Sequence, residues 1–249
     1  VKHTILILSA GLALSACSSQ APTSAVNDRH EAQNRIVYED NVKLDRAVIK
    51  PVAVAYGTVL PDPVRKGLSN VSETLGLPGV VVNDLLQFQL GDALHNTARF
   101  ALNATLGIAG LFDPASEIGL DERDSDFGET LHAWGVGEGQ YLVLPVYGPS
   151  TSRDAIGLVV DIAMNPLSAV ADTKVANAST GLKVASIVDT RYRYSDLYES
   201  VIYDSADGYT QMRLSYLGKR RFDLGTVSTQ GDTEASANPS YDLYEDFYE

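Results

Sequence analysis

The scarce residues of this chain limit its chemistry. Among 249 residues there is one Cys, at position 17, and there are four His, at positions 3, 30, 95 and 132. A single thiol excludes an intramolecular disulfide and a Cys-based zinc cage. The His residues are scattered, with no His-Glu-x-x-His pair to hold a metal. No Gly-x-Ser-x-Gly elbow presents a serine nucleophile, and no P-loop cradles a phosphate. Gly135, Gly137 and Gly139 alternate, but they do not match the Gly-x-Gly-x-x-Gly of a dinucleotide site. Nucleophilic, metal and cofactor-dependent catalysis thus have no support in the sequence, and no cofactor is expected.

What Cys17 can do is accept lipid. Lys2 and His3 precede an apolar run from Ile5 to Ala16, too short to span a bilayer and of the length of a secretory signal. The run ends in Leu14-Ser15-Ala16-Cys17, which resembles a bacterial lipobox. Cleavage before Cys17 and acylation of its sulfur would anchor the chain, at about 0.8 kcal/mol per buried CH₂. Residues 1–16 then form a lipoprotein signal and residues 17–33 a lipidated tether, rich at first in Ser, Gln, Ala and Pro. Residue 18 is Ser and not Asp, which by resemblance to other bacterial lipoproteins favours sorting to the outer membrane.

Charge narrows the partners. The formal net charge is -13 and the sequence pI is near 4.6. Nucleic acid is excluded as a partner, because phosphate-backbone binding needs a basic face. The stretch 226–249 holds six carboxylates and no Lys or Arg, and reads as a disordered acidic tail. Tyr241, Tyr244, Phe247 and Tyr248 within it form either a short binding motif or part of a loose tail.

The elements between tether and tail are mainly α. Val37 to Tyr56 has helical apolar spacing, with Pro51 expected to kink or divide it. Pro61-Asp62-Pro63 opens a helix to about Leu75, which Gly76 and Pro78 are expected to end; another segment covers Val80 to Phe88. Asp92, as N-cap, starts a helix to Leu106, and Asp113-Pro114 starts a short one. Asp124 to Trp134 reads as helix, Gly135 to Gly139 as a loop, and Tyr141 to Val146 as extended chain. Ser152 to Met164 is helical, and two or three helices follow between Thr173 and Leu217, interrupted near Asp207-Gly208. Phe127 and Trp134 read as packing anchors, and Arg153 and Asp154 as a local ion pair or an interfacial charge.

From Val42 to Asp161 the residues resemble the MlaA (VacJ) family of outer-membrane lipoproteins. The matching stretches begin with Lys50-Pro51-Val52-Ala53, then Pro61-x-Pro63-Val64-Arg65-x-Gly67-Leu68-Ser69-Asn70 and Arg99-Phe100-x-Leu102-Asn103-x-Thr105-Leu106-Gly107. Gly110-Leu111-Phe112-Asp113-Pro114-Ala115-Ser116 and Asp126-Phe127-Gly128-x-Thr130-Leu131 follow. The last are Trp134-Gly135-Val136-Gly137-x-Gly139-x-Tyr141-Leu142-Val143-Leu144-Pro145, Gly148-Pro149-Ser150 and Arg153-Asp154. Asn34-Arg35 also resembles the family's start, with Gln33 in place of its aromatic residue, and the likeness weakens after residue 165.

The resemblance implies a ring-like helical body, residues 34–225, seated in the inner leaflet of the outer membrane, on its periplasmic face. It implies an amphipathic channel that removes misplaced phospholipid from the outer leaflet, thereby maintaining lipid asymmetry. Its implied partners are phospholipid, a trimeric porin and a soluble periplasmic lipid carrier. In such a body each apolar stripe serves either as core or as a lipid-facing surface. The loop of Gly135, Gly137 and Gly139 is expected either to gate the channel or to form a static turn that needs left-handed glycines. Arg65, Lys66, Arg99 and Lys183 are candidates to meet a lipid phosphate. The alternative function is a scaffolding lipoprotein that binds porins without moving lipid. A lipid-degrading enzyme is disfavoured by the missing nucleophile motif.

Overall fold

The computed structural model describes residues 26–164 and 173–226. The expected signal, Cys17 and all but the first residue of the acidic tail lie outside these residues. Within them the chain is mainly helical, and no helix is long and apolar enough to cross a membrane.

The chain enters through α1 (Glu31–Leu44), a π-helical turn (Asp45–Ile49) and α2 (Lys50–Val59), which run on without a break. Pro51 thus does not divide the helix. Its ring would press on the carbonyl four residues back, and the wider π turn just before it, where the Lys50 N–H reaches back to the Asp45 carbonyl, gives it room. The tether is also shorter than expected. Residues 26–33 belong to the fold: Asn27 and Asp28 bond to distant elements, and α1 begins at Glu31.

Helix α3 (Asp62–Leu86) is the longest among the described residues. The expected break at Gly76 and Pro78 is absent, and Pro78 lies inside one helix of 25 residues. A proline removes one backbone hydrogen bond, but packing along α4 and α8 outweighs that local loss. Helix α4 (Leu90–Thr105) starts two residues before Asp92, so Asp92 sits in the first turn, where its charge suits the helix dipole, and Gln89 holds the N-cap position. The short α5 (Pro114–Glu117) and α6 (Phe127–Ala133) are capped by Asp113 and Asp126, whose carboxylates accept from the N–H groups of Ser116 and Glu129.

A two-stranded hairpin follows, β1 (Tyr141–Leu144) antiparallel to β2 (Gly148–Thr151), with Tyr141 opposite Thr151. Then come α7 (Ser152–Met164), α8 (Thr173–Arg193), α9 (Ser195–Ile202) and α10 (Gly208–Asp223). Asn27, Asn34 and Asn41, seven residues apart, line the free edge of β1. The Asn34 amide donates to the Tyr141 carbonyl and its oxygen accepts from the Val143 N–H, both at 3.0 Å. Asn41 does the same for the Leu144 carbonyl and the Val146 N–H, at 2.9 and 2.8 Å. These amides act as a third strand and satisfy an edge that would otherwise be unpaired. A compact apolar cluster of Tyr141, Val143, Tyr209 and Leu217 lies beneath, with Tyr141 and Tyr209 meeting edge to face at 6.1 Å.

Candidate functional site

Three helices carry their polarity reversed. On α4 the buried positions are Ala93, Asn96, Arg99 and Asn103, while Leu90 and Leu94 stand 66% and 72% exposed. On α7 the buried side chain is Arg153, while Ile156, Val159 and Ile162 face outward. On α3, Arg65, Thr74, Asn83 and Asp84 are buried and Val64 and Leu85 are exposed. Among the described residues the buried set contains more polar and charged residues than apolar ones. In most folds the charged side chains stay outside; here these helices turn their polar side inward and their apolar side outward.

The buried charges are held by specific bonds. Arg99 donates to Ser116 Oγ at 3.0 Å, to the Leu120 carbonyl and to Asp113, and Asn103 donates to the same carboxylate at 2.8 Å. These bonds fasten the 113–120 segment to α4. Arg65 on α3 donates to Asp189 on α8 at 2.7 Å and pairs with Asp62. Asp45, turned inward by the π turn, accepts two bonds from Arg191 at 2.9 Å and one from the Tyr203 hydroxyl. Arg220 on α10 joins Asp126 and Glu129 of the α6 end to Asp154 of α7, at 2.7–3.0 Å. Underneath, Gly157 and Gly128 let α7 and α6 touch: a Cβ on Gly157 would lie 2.4 Å from the Gly128 nitrogen.

Some carboxylates stay open to solvent yet are hemmed in by protein. Glu73 on α3 and Glu122 after α5 are both accessible. Desolvation is the largest influence on each and raises both, Glu122 to about 7, with further upward pushes from Asp124 and Glu73. Glu73 also feels Asp113, Arg99 and Arg193. The charges of α3, α4, the 113–124 segment and α8 thus lie close enough to act on one another.

The expected site residues divide. Arg65 and Arg99 are buried and committed to internal carboxylates, so no face of either is turned to a ligand from outside. Lys66 and Lys183 are exposed, on α3 and α8. The structure does not bring these four into one site. In the glycine loop, Gly135 takes a positive φ of 86° and closes α6 through its N–H to the His132 carbonyl. Gly139 has φ 75°, and a Cβ there would press on Ser152 at 2.8 Å. The loop's far end is tied by Asn27 to the Gly139 carbonyl at 3.1 Å and by Arg221 to Glu138 at 2.6 Å. Gly137 alone of the three has neither a positive φ nor a neighbour within contact distance. Phe127 and Trp134 meet edge to face at 5.6 Å, although Trp134 is half exposed. Arg153 and Asp154 form a buried pair at 3.2 Å.

This polar-inside helical body has counterparts among known proteins. The family model described as MlaA lipoprotein matches residues 26–223. The chain belongs to the MlaA lipoprotein family. The MlaA match coincides with the described fold, from the Asn27 bonds to the end of α10. The intermembrane phospholipid transport system lipoprotein MlaA of Escherichia coli K12 is 31% identical over 250 residues, covering 99% of this chain and 96% of that one. An uncharacterized protein of Rickettsia felis is 33% identical over 189 residues, covering 76% of this chain and 74% of its own. A solved structure, presented as the structural basis for maintenance of bacterial outer membrane lipid asymmetry, superposes with a TM-score of 0.69 at 33% identity. It covers 79% of this chain and 98% of its own.

Proposed function

We propose that this chain removes phospholipid from the outer leaflet of the outer membrane through its polar interior and passes it to a soluble carrier in the periplasm. In this reading residues 1–16 are cleaved, Cys17 is acylated, and residues 17–25 tether the body to the inner leaflet beside a trimeric porin.

The observation that carries the reading is the reversed polarity of α3, α4 and α7. A head group crossing hydrocarbon loses hydration that costs several kcal/mol or more for an unpaired charge. A polar path through the body removes much of that cost, while acyl tails stay against apolar walls. Outside, each Leu, Ile or Val covered by lipid contributes about 1.5–3 kcal/mol towards seating the body. Closed helices satisfy their own backbone groups in that setting. Gly135 and Gly139 hold the ends of the loop, and Gly137 is its pivot for gating.

The names of the Escherichia coli relative and the matched structure, which refer to phospholipid transport and to lipid asymmetry, support a role in phospholipid transport. The test is surface phospholipid in a strain lacking the chain, compared with the same strain carrying it back. Accumulation that falls on complementation agrees with the reading. An unchanged surface rejects it in favour of a scaffold.

A further inference from the structure

The glycine loop, Gly135 to Gly139, is held on either side of its pivot by two neighbouring arginines of α10. Arg220 takes the near side. Its guanidinium donates to Asp126 at 2.7 Å and to Glu129 at 3.0 Å, at the start of the helix α6 that leads into Gly135, and to Asp154 of α7 at 3.0 Å. Arg221 takes the far side. Its Nε and Nη2 donate to the two carboxylate oxygens of Glu138, at 3.1 and 2.6 Å. Glu138 stands between Gly137 and Gly139 and is the one charged residue of the loop. A two-bond fork of this kind fixes direction as well as distance.

The two grips differ in how readily they part. The Arg220 side chain is 13% exposed and holds three carboxylates, and Gly128 leaves it room, since a Cβ there would lie 2.7 Å from its Nη2. Loss of Arg220 would strand those carboxylates in the seam of α6, α7 and α10. Arg221 and Glu138 are 26% and 23% exposed, so water can take over their bonds. The other bonds of the far side run from Asn27 to the Gly139 carbonyl, from the Arg153 N–H to the Glu138 carbonyl, and between Gln140 and Ser152, at 2.9–3.4 Å. All of them hold backbone atoms of the loop; the ion pair is what ties it to α10. That helix is itself seated by Tyr209 and Leu217 in the apolar cluster. It is therefore a fixed post, with Arg220 as its permanent joint and Arg221 as one that can open.

Resting on the reading that this loop gates the passage of phospholipid, we infer that Arg221 and Glu138 form its latch. Closed, the pair binds the far side of the loop to α10. Parted, it frees Glu138 and lets the chain turn at Gly137, which has no neighbour within contact distance. Both are positioning residues that act through the place of the loop. A pair this exposed adds little to global stability, as suits a contact that opens and closes while the fold stays intact.

The test measures amide hydrogen exchange in the purified full chain in detergent, together with surface phospholipid in cells. The reporter is the Gln140 amide beside the loop, and the control is Val143, whose N–H is held by Asn34. Arg221→Gln and Glu138→Gln should each speed exchange at Gln140 about five-fold, the effect of one partly exposed pair, and leave Val143 and Tm unchanged. The double variant should add little to either single one. Reversing the pair, Glu138→Arg with Arg221→Glu, should restore most of the protection, which lost packing alone would not allow. In cells Arg221→Gln should raise surface phospholipid, and the reversed pair should lower it again. Unchanged exchange at Gln140, or an equal rise at Val143, overturns the latch. Faster exchange at Gln140 with unchanged surface phospholipid overturns its part in gating. If a strain lacking the whole chain accumulates no surface phospholipid, the transport reading fails and the latch loses its role with it, whatever the exchange rates.

Discussion

Replacing Asp45 with Ala should destabilise the fold far more than removing a surface carboxylate. Asp45 and Arg191 are 3% and 6% exposed and share two bonds of 2.9 Å, with the Tyr203 hydroxyl as a third donor. The variant leaves the Arg191 guanidinium buried without its carboxylate partner, beside Glu199 at 3.7 Å, the face of the Tyr198 ring at 4.2 Å and the Tyr203 hydroxyl. Breaking a buried pair on one side costs about 3–5 kcal/mol. For a chain of this size that lowers Tm by about 6–20 °C. Asp40→Ala provides the control, because Asp40 and Lys43 are 65% and 71% exposed and such a pair contributes at most about 1 kcal/mol. Thermal unfolding of both variants in detergent, followed by circular dichroism, gives the comparison. The double variant Asp45→Leu with Arg191→Met should recover much of the loss, since no charge is then stranded. If Asp45→Ala melts within a degree or two of Asp40→Ala, water reaches Arg191 freely, and the reasoning that this interior is built from desolvated pairs is wrong.

Other outcomes follow from the same contacts. Asn34→Ala strands a β1 carbonyl and a β1 N–H and should cost about 2–4 kcal/mol; hydrogen exchange at the Val143 amide would report the loosened edge. Folding raises Glu122 and Glu129 from an ordinary carboxylate to about 7, so the folded state binds more protons between pH 4.5 and 7. Stability should therefore fall as pH rises through that window and level off above it. The lowered His132 acts in the opposite sense, gaining stability as pH rises towards its ordinary value. Melting curves from pH 5 to 8 should show a shallower decline in Glu122→Gln. Gly137→Pro should leave Tm nearly unchanged, since nothing crowds that position, yet raise surface phospholipid in cells. Unfolding of that variant counts against a gating role.

The sequence made the helical class legible because capping and helix-start signals are local. Asp113-Pro114 reads as a helix start from residue type alone, and the Asp113 carboxylate does cap α5. The break expected at Gly76 and Pro78 failed for the opposite reason. Packing against α4 and α8 is not local, and it keeps α3 continuous through a residue that opposes helix. Pro51 carried a true signal of backbone stress, which the chain absorbs in a π turn without breaking. The strand β2 escaped notice because Gly148-Pro149-Ser150-Thr151 has no apolar alternation, and its pairing comes from β1 alone.

The polar interior was the hardest feature to read. Helical spacing shows that α4 has an apolar and a polar side, but periodicity has no sign: it does not say which side faces inward. Asn96, Arg99 and Asn103 lie three and four residues apart, a polar stripe visible in the sequence. Arg65 and Arg99 look like phosphate ligands as isolated cations. Their partners Asp189 and Asp113 come from other elements, and only the fold brings them together. The spacing of Asn27, Asn34 and Asn41 was equally visible, but its use depends on a strand more than a hundred residues later.

The reversed polarity itself can be measured directly, because the only native thiol is Cys17, which acylation would block. Single cysteines at Glu73 and Glu122 would probe the interior, and at Leu94 and Val159 the outer face. In native outer membranes a small water-borne thiol reagent should label the first pair and spare the second, which hydrocarbon covers. Labelling at Leu94 and Val159 equal to that at Glu73 and Glu122 would contradict a body seated in lipid around a wet interior.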